Sequence, residues 1–328
     1  MPINSEMHRI ITADCSYPKE IDDGLFIKPL DEDHELYQVG VCIADTSKIY
    51  DNVEVTKQAF ARTTARYWDL PDGERGYDPM IDPKLVQKIE LKAGTVRDAM
   101  VASFMVGVHE APSDIEISFE PVKIDKNIDY RQLSNFTYSE QGRKYLRASL
   151  LIRQHLGYIA YGDHIGSRPQ WRKDEAGQPA AVNMSGRAWK RGSQINESFM
   201  VATNHLVGKL MDEENRPVIY RVHDPDDEQY LELLSASVAR FSRKAGLHSG
   251  LGLDPYCRVT SPLRRLDDFV SIQQLRQRDR GLAPTAKDIQ DVAFAVRRLN
   301  QELVASAPKE AARLSRRDIL GRAALAAG

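Results

Sequence analysis

The sequence predicts a mixed α/β fold, with a mixed sheet in its N-terminal part and a mainly helical C-terminal half. Apolar or alternating runs separated by polar turns dominate up to about residue 124, and a helical periodicity replaces them beyond about residue 138. The 328 residues are 42% apolar and 28% charged, which is average usage for a globular chain with a sizeable core. Because no internal repeat and no clear linker interrupt the chain, a single domain over residues 1–328 is preferred to two.

The strands are predicted from segments rich in Val, Ile and Phe, residues that favour a pleated surface. The segments are HRIITA, GLFIKP, LYQVGVCIA, TVRDAMVASFMV and IEISFEPVKI. Between the third and the fourth, residues 53–67 fit a helix, and a loop rich in Pro, Gly and Asp follows, DLPDGERGYDPMIDP. The N-terminal part is therefore expected to form a sheet with one helix inserted.

Beyond residue 138 the spacing of apolar residues is typical of helices. The first is predicted to run to about residue 161, and the others over 195–211, 227–244, 262–277, 287–304 and 309–327. Residues 281–328 are therefore predicted to be C-terminal helices. The polar stretch 162–183 is long for a compact domain and is predicted to be a loop.

Charge is distributed unevenly along the chain. Residues 1–140 carry 15 Lys and Arg against 26 Asp and Glu, and residues 141–328 carry 30 against 21, so net charges of −11 and +9 add to −2. An acidic, cation-binding part beside a basic part that contacts a polyanion would account for this split. Solvated surface charge without a common purpose is the alternative.

Several classes of protein are excluded by composition. Cys15, Cys42 and Cys257 are too few and too scattered for a disulfide framework or a thiolate zinc site. No apolar run approaches the ~18 residues of a membrane span. The N-terminus MPINSEMHRI lacks the features of a secretory signal, so a cytoplasmic location is expected.

Four carboxylates lie within ten residues, at Asp14, Glu20, Asp22 and Asp23. Carboxylates so close together must be protonated, remain solvated or bind cations, and hard oxygen ligands suit Mg²⁺ or Mn²⁺. An acidic surface turn is the alternative.

The segment GLGLDPYCRVTSPLRR is the second candidate site. Ser261 and Pro262 are typical of the first positions of a helix, which would put Arg264 and Arg265 in its first turn. Cations are disfavoured there, and a bound phosphate would resolve the conflict. Ion pairing with Asp267 or Asp268 is the alternative.

Together the two segments describe hydrolytic phosphoryl transfer. Carboxylate-held metal ions activate water and stabilise a leaving oxygen, while an arginine stabilises charge on the phosphoryl group. Tyr67 and Tyr256 are candidates for stacking on unpaired bases. Packing in the core or in a loop is the alternative for either tyrosine.

The stretch TADCSYPKEIDDGLFI resembles the T-x-D-x5-D-x-D-D-A-L-F signature of the catalytic domain of ribonuclease II and ribonuclease R type exoribonucleases, the RNB family. Further segments resemble that family in the same order, from residue 12 to about 280. They are GVCIAD, ARYWDLP with DPMIDPKL, INESFMVATN, and HSGLGLDPYCRVTSPLRRLDDFVSIQQL.

The resemblance implies 3′–5′ hydrolysis of single-stranded RNA to nucleoside 5′-monophosphates with two divalent ions, usually Mg²⁺. It implies Asp14, Glu20, Asp22 and Asp23 as metal ligands, and Asp22, Arg264 and Tyr67 as catalytic residues. The residues that it implies for RNA binding are Tyr67, Glu197, Tyr256, Thr260, Ser261, Arg264 and Arg265.

The chain also departs from the family pattern. Glu20 stands where the family has Asp, Leu266 replaces a Tyr, and only Glu302 lies near the family's downstream glutamate. The small RNA-binding barrels that flank the domain are expected to be missing, so a partner protein is a candidate source of RNA binding. The leading hypothesis is a stand-alone exoribonuclease. The alternatives are a catalytically weak or inactive RNA-binding or regulatory protein and an unrelated metal-dependent phosphoesterase that acts on small substrates.

Overall fold

Five strands close into a barrel in the computed structural model, which describes residues 9–15, 18–69, 75–157, 170–173, 179–182, 187–223 and 239–306. The strands are β1 (Ile10–Asp14), β2 (Asp23–Pro29), β3 (Leu36–Ala44), β4 (Arg66–Asp69), β5 (Arg75–Asp78), β6 (Val96–Gly107), β7 (Ser113–Asp129), β8 (Gln170–Lys173), β9 (Pro179–Val182), β10 (Tyr220–Val222) and β11 (Arg240–Ser242). The helices are α1 (Ser47–Tyr50), α2 (Val53–Arg62), α3 (Pro83–Ile89), α4 (Tyr130–Phe136), α5 (Glu140–Leu156), α6 (Arg187–Glu213), α7 (Leu266–Asp279) and α8 (Ala286–Ser306). The predicted mixed α/β fold, with helices in the C-terminal half, is confirmed.

The barrel has the strand order β1-β2-β3-β6-β7. Adjacent strands of the barrel pair antiparallel, except β1 and β7. The parallel pairing of β1 with β7 closes the barrel and sets Asp14 opposite Asp129. Strand β1 ends at Asp14 and its neighbour β2 begins at Asp23. The connection that carries the four carboxylates therefore leaves and re-enters the barrel at one end.

Both faces of β3 are buried, which explains its nearly continuous apolar sequence. Val41 and Ile43 pack in a cluster that contains Phe199 of α6. Cys42 and Ala44 point the other way, into a second cluster that contains Phe269 of α7. The neighbouring strands β1 and β2 also contribute residues to both clusters, Ile11 and Leu25 to the first and Ile10 and Phe26 to the second.

The predicted helix over 53–67 is too long. Helix α2 ends at Arg62, because Thr63 takes a positive φ of 63°, and the chain then forms the hairpin β4–β5. The Pro, Gly and Asp residues that predicted a loop fall partly within this hairpin. Helix α3 follows with Asp82 as its N-cap and Pro83 in its first turn, a signal that was present in the sequence.

The helix predicted over 227–244 is wrong where the structure describes it. Arg240–Ser242 is strand β11, paired antiparallel with β10. The amide of Phe241 donates to the side chain of Asn300 and its carbonyl accepts from the same side chain, so α8 holds this strand. The helix predicted over 309–327 lies outside the described residues. Of the stretch 162–183, which was predicted to be a loop, the structure describes only β8 and β9, and there the prediction is wrong because these two segments pair as antiparallel strands.

No helix within the described residues is both long enough and apolar enough to cross a membrane.

Candidate active site

The acidic segment meets the arginine segment through Asp22, which is only 2% exposed. One carboxylate oxygen of Asp22 accepts the backbone N–H of Leu263 at 2.8 Å, and the other accepts Nε of Arg264 at 3.1 Å. The guanidinium of Arg264 also donates from Nη2 to the hydroxyl of Ser261 at 2.8 Å. Two of the predicted catalytic residues are therefore in direct contact.

Burial disfavours the charged forms of the three aspartates, and the charges of neighbouring carboxylates add to this effect for Asp14 and Asp22. The pKa of Asp22 is raised to about 7, mainly by burial, although Arg264 opposes the shift. Burial likewise raises the pKa of Asp23 to about 6, with Arg264 and a hydrogen bond from Asn196 acting in the other direction. The pKa of Asp14 is raised well above its usual range by burial and by the charges of Asp23 and Asp22. A cation at this cluster would stabilise the ionised forms.

One oxygen of the acidic cluster bears on whether the cluster fits a metal ion. Within the described ranges, no group of three or more His, Cys, Asp or Glu side chains is arranged to hold a metal ion. In the same ranges Oδ2 of Asp23 is buried without a hydrogen-bond partner. A buried carboxylate oxygen beside two further aspartates fits a hard divalent cation. The assignment of metal ligands stays a prediction.

Glu20 contacts two tyrosines of the hairpin β4–β5. Tyr67 donates its hydroxyl to Oε2 of Glu20 at 2.6 Å, and Tyr77 donates to Oε1. Burial and the charge of Glu20 raise the pKa of both phenols above their usual range, so both remain donors. Sequence reasoning found Tyr67 and missed Tyr77, whose only signal is its position opposite Tyr67 in the hairpin.

The predicted helix start at Ser261 and Pro262 is wrong, because α7 begins at Leu266 with Arg265 as its N-cap. At a helix start the hydroxyl of Ser261 would accept a hydrogen bond from a backbone amide of the first turn. In the structure, this hydroxyl and the nearby amides make contacts with other parts of the chain. The N–H of Leu263 binds Asp22, and the hydroxyl of Ser261 accepts from Arg264 instead of from a first-turn amide. Both arginines therefore precede the helix.

Asp267 and Asp268 occupy the first turn of α7, where acidic residues are favoured. Asp268 accepts Nη2 of Arg265 and the N–H of Ser261, each at 2.8 Å, and Asp267 pairs with Arg258 at 2.6 Å. The alternative that the arginines pair with Asp267 or Asp268 is thus correct for Arg265, which pairs with Asp268. Arg264 pairs with Asp22 instead.

The remaining predicted RNA-binding residues lie at different depths. Tyr256 is 7% exposed and its hydroxyl accepts Nδ2 of Asn204, so the structure does not support it as a base-stacking residue. Thr260 is buried in the arginine loop, the segment 258–265 that precedes α7. Glu197 is partly buried on α6, next to the Asn196 that binds Asp23.

Comparison with known proteins covers most of the chain. The sequence model of the RNB domain matches residues 4–245. Ribonuclease R of Ureaplasma parvum serovar 3 is 25% identical over 335 residues, 80% of this chain and 44% of that protein. Exoribonuclease 2 of Shigella boydii serotype 18 is 25% identical over 323 residues, 81% of this chain and 49% of that protein. The chain thus spans about half the length of these curated relatives.

Solved structures share the fold at lower identity. Mycoplasma genitalium RNase R in complex with ribose-methylated single-stranded RNA has a TM-score of 0.74 at 15% identity, over 93% of this chain and 57% of that one. Yeast Ssd1, a pseudonuclease, has a TM-score of 0.65 at 11% identity, over 91% of this chain and 43% of that one. Because the match to the RNB domain takes in well over half of the 328 residues, the chain belongs to the RNB family.

Proposed function

We propose that this chain is a hydrolytic, divalent-metal-dependent 3′–5′ exoribonuclease that acts on single-stranded RNA and releases nucleoside 5′-monophosphates. The observation that carries the proposal is the contact of Asp22 with Arg264, which joins a cluster of repelling carboxylates to a guanidinium. Relatives named ribonuclease R and exoribonuclease 2 support RNA as the substrate.

Asp14, Asp22 and Asp23 would hold Mg²⁺ or Mn²⁺, which activates a water and stabilises the leaving oxygen when bound. Two ions, as in the family scheme, are part of the proposal. Burial alone would lower the pKa of Arg264, but the charge of Asp22 and the other nearby anionic groups outweighs it, so the pKa is raised and the guanidinium stays cationic. With 41% of its side chain exposed, Arg264 can reach a phosphate while Asp22 and Ser261 fix its orientation. It would stabilise charge that develops on the phosphoryl group.

Side chains of the candidate site other than Asp22 and Arg264 would bind the RNA. Tyr67 would pack against the terminal nucleotides, and Glu197 would lie near the RNA. Three further residues would support RNA binding by holding the loop that carries Arg264. They are Thr260, Ser261 and Arg265. Residues 1–328 would form one catalytic domain, and a partner protein would add RNA affinity.

A catalytically weak or inactive RNA-binding protein is the second candidate. Its support is the shared fold of the yeast pseudonuclease Ssd1, together with Glu20 at a position that is Asp in the family and is held here by tyrosines. Binding of RNA in EDTA, with no product in Mg²⁺, is the result expected of this candidate.

The reaction class is tested by the fate of the water oxygen. Single-stranded RNA is incubated with the chain and Mg²⁺ in water enriched in heavy oxygen, and the products are identified by mass spectrometry. The proposal expects nucleoside 5′-monophosphates that each carry one heavy oxygen in the phosphate. Cyclic phosphates, 3′-phosphates or unlabelled 5′-monophosphates would contradict it.

A further inference from the structure

Glu20 differs from the aspartates of the acidic segment in what its oxygens contact. Each of its two oxygens accepts a tyrosine hydroxyl, Oε2 from Tyr67 and Oε1 from Tyr77, and the side chain is 5% exposed. Oδ2 of Asp23, by contrast, has no partner within the described residues. The oxygen without a partner therefore belongs to Asp23, whereas each oxygen of Glu20 already accepts a hydrogen bond from the hairpin.

We propose that Glu20 anchors the Tyr67–Tyr77 pair and is not a metal ligand, and that Tyr77 is a positioning residue that fixes the ring of Tyr67. Only the consequence for RNA rests on the proposed function. The contact between the three side chains and the composition of the metal site are independent of catalysis.

The hairpin β4–β5 sets both tyrosines on the same side. Tyr67 and Tyr77 are directly opposite in its antiparallel register, and their rings stack with centroids 5.4 Å apart and planes 26° apart. The next pair in the register is Trp68 with Gly76, and the indole lies directly against Gly76, where any Cβ would clash. One face of the hairpin therefore presents the two phenols, and Trp68 covers the other face.

The same hairpin is attached to the arginine loop at its base. The N–H of Ala65 donates to the carbonyl of Arg264 at 2.9 Å, two residues before Tyr67. Tyr67 is thus fixed at its backbone relative to Arg264 and at its hydroxyl relative to Glu20. Glutamate is one methylene longer than the aspartate of the family pattern. The extra length suits a carboxylate that extends away from the aspartates to accept hydrogen bonds from Tyr67 and Tyr77.

The first test measures metal affinity without catalysis. Free Mn²⁺ is titrated into the full chain and followed by electron paramagnetic resonance, for the unaltered protein, Glu20→Gln and Asp23→Asn. We expect Glu20→Gln to change the Mn²⁺ dissociation constant by less than about threefold, and Asp23→Asn to weaken binding by roughly tenfold or more. Glu20→Gln as damaging as Asp23→Asn would overturn the proposal.

The second test measures the contact itself by urea unfolding of Glu20→Gln, Tyr77→Phe and the double variant. The two losses of stability should be clearly less than additive, because Glu20→Gln removes the acceptor charge and Tyr77→Phe removes the donor of the same charge-assisted hydrogen bond. Phenylalanine keeps the ring, which borders a cavity of about 230 Å³ that a smaller residue would enlarge. Tyr50→Phe is the matched control, since its hydroxyl donates to Asp291 at 3.0 Å, and its loss should add to that of Glu20→Gln.

The third test separates positioning from general stability. Binding of fluorescent single-stranded RNA is measured in EDTA, where Tyr77→Phe and Tyr67→Phe should weaken affinity to a similar extent, and Tyr50→Phe should not. Additive unfolding losses, or RNA affinity unchanged in Tyr77→Phe, would overturn the role of Tyr77. Failure of the unaltered chain to degrade RNA would reject the proposed function alone, because the unfolding comparison needs neither metal nor RNA.

Discussion

Nε of Arg264 lies 3.1 Å from Oδ2 of Asp22, although the two residues are 242 positions apart in the sequence. Asp22 also accepts the backbone N–H of Leu263, so it fixes both the side chain and the loop that carries it. This contact joins the end of the barrel at β2 to the start of α7. It brings the acidic segment and the segment that carries Arg264 into direct contact.

Replacing Arg264 by lysine should lower RNA turnover by roughly 100-fold, the usual effect of removing a positioned donor to a developing charge. Lysine keeps the charge but cannot donate to Asp22 and to Ser261 at once from a planar fork. The measurement is the rate of mononucleotide release at saturating RNA. Near-normal turnover in Arg264→Lys would remove Arg264 from the catalytic role.

Mg²⁺ should raise the melting temperature of the chain, because a bound cation stabilises the ionised forms of Asp14 and Asp23, whose pKa values are raised mainly by burial. Differential scanning fluorimetry with increasing Mg²⁺ measures the shift, and EDTA should abolish it. Asp23→Asn should show little or no shift. An equal shift in the variant would place cation binding elsewhere.

Asp268→Asn should lower the free energy of unfolding by about 3 kcal/mol, because it removes a fully buried carboxylate that is the counter-charge of the partly buried Arg265. Asp268 is fully buried and holds Arg265 and the N–H of Ser261. Asp279→Asn is the matched control, since its pair with Arg276 lies partly exposed, and its cost should be about 0–1 kcal/mol. Equal costs in urea unfolding would contradict the role of Asp268.

The stability of the chain should depend on pH through His248. Burial, together with the nearby His223 and Arg221, lowers the pKa of His248 from 6.5 to about 4. Below pH 6.5 the unfolded chain therefore binds a proton that the folded chain does not, and stability falls as the pH drops toward 4. The measurement is the free energy of urea unfolding as a function of pH between 4 and 6.5. This free energy should depend less steeply on pH in His248→Gln than in the unaltered chain, whereas replacement of the exposed His109 by Gln should leave the dependence unchanged.

The strands were predictable because each carries its own pattern of apolar residues, and all five predicted segments form the barrel. The hairpin β4–β5 was not, since Pro, Gly and Asp in and around it are typical of a loop. Its pairing depends on contacts with Glu20 and Arg264 that lie far away in the sequence. The start of α7 was misplaced for the same reason, because Asp22 competes for the N–H of Leu263.

The candidate residues could be named from the sequence, but their arrangement could not. The spacing of Asp14, Glu20, Asp22 and Asp23 predicted the acidic cluster, and the segment after Ser261 and Pro262 predicted Arg264 as a phosphate ligand before the family resemblance did. Nothing in the local sequence distinguishes Tyr77 from a loop tyrosine, or the buried Tyr256 from one that stacks on RNA. Those distinctions depend on cross-strand register and on packing against α6.

The most direct test of the proposed function is a gel time course with single-stranded RNA labelled at its 5′ end. The reactions contain Mg²⁺, EDTA, or Mg²⁺ with Asp22→Asn, whose fold is checked by circular dichroism. The account predicts a ladder that shortens from the 3′ end only with Mg²⁺ and only with the unaltered chain. Intact RNA in every lane, together with a mobility shift on a native gel, would contradict it and identify a fold that binds RNA without cleaving it.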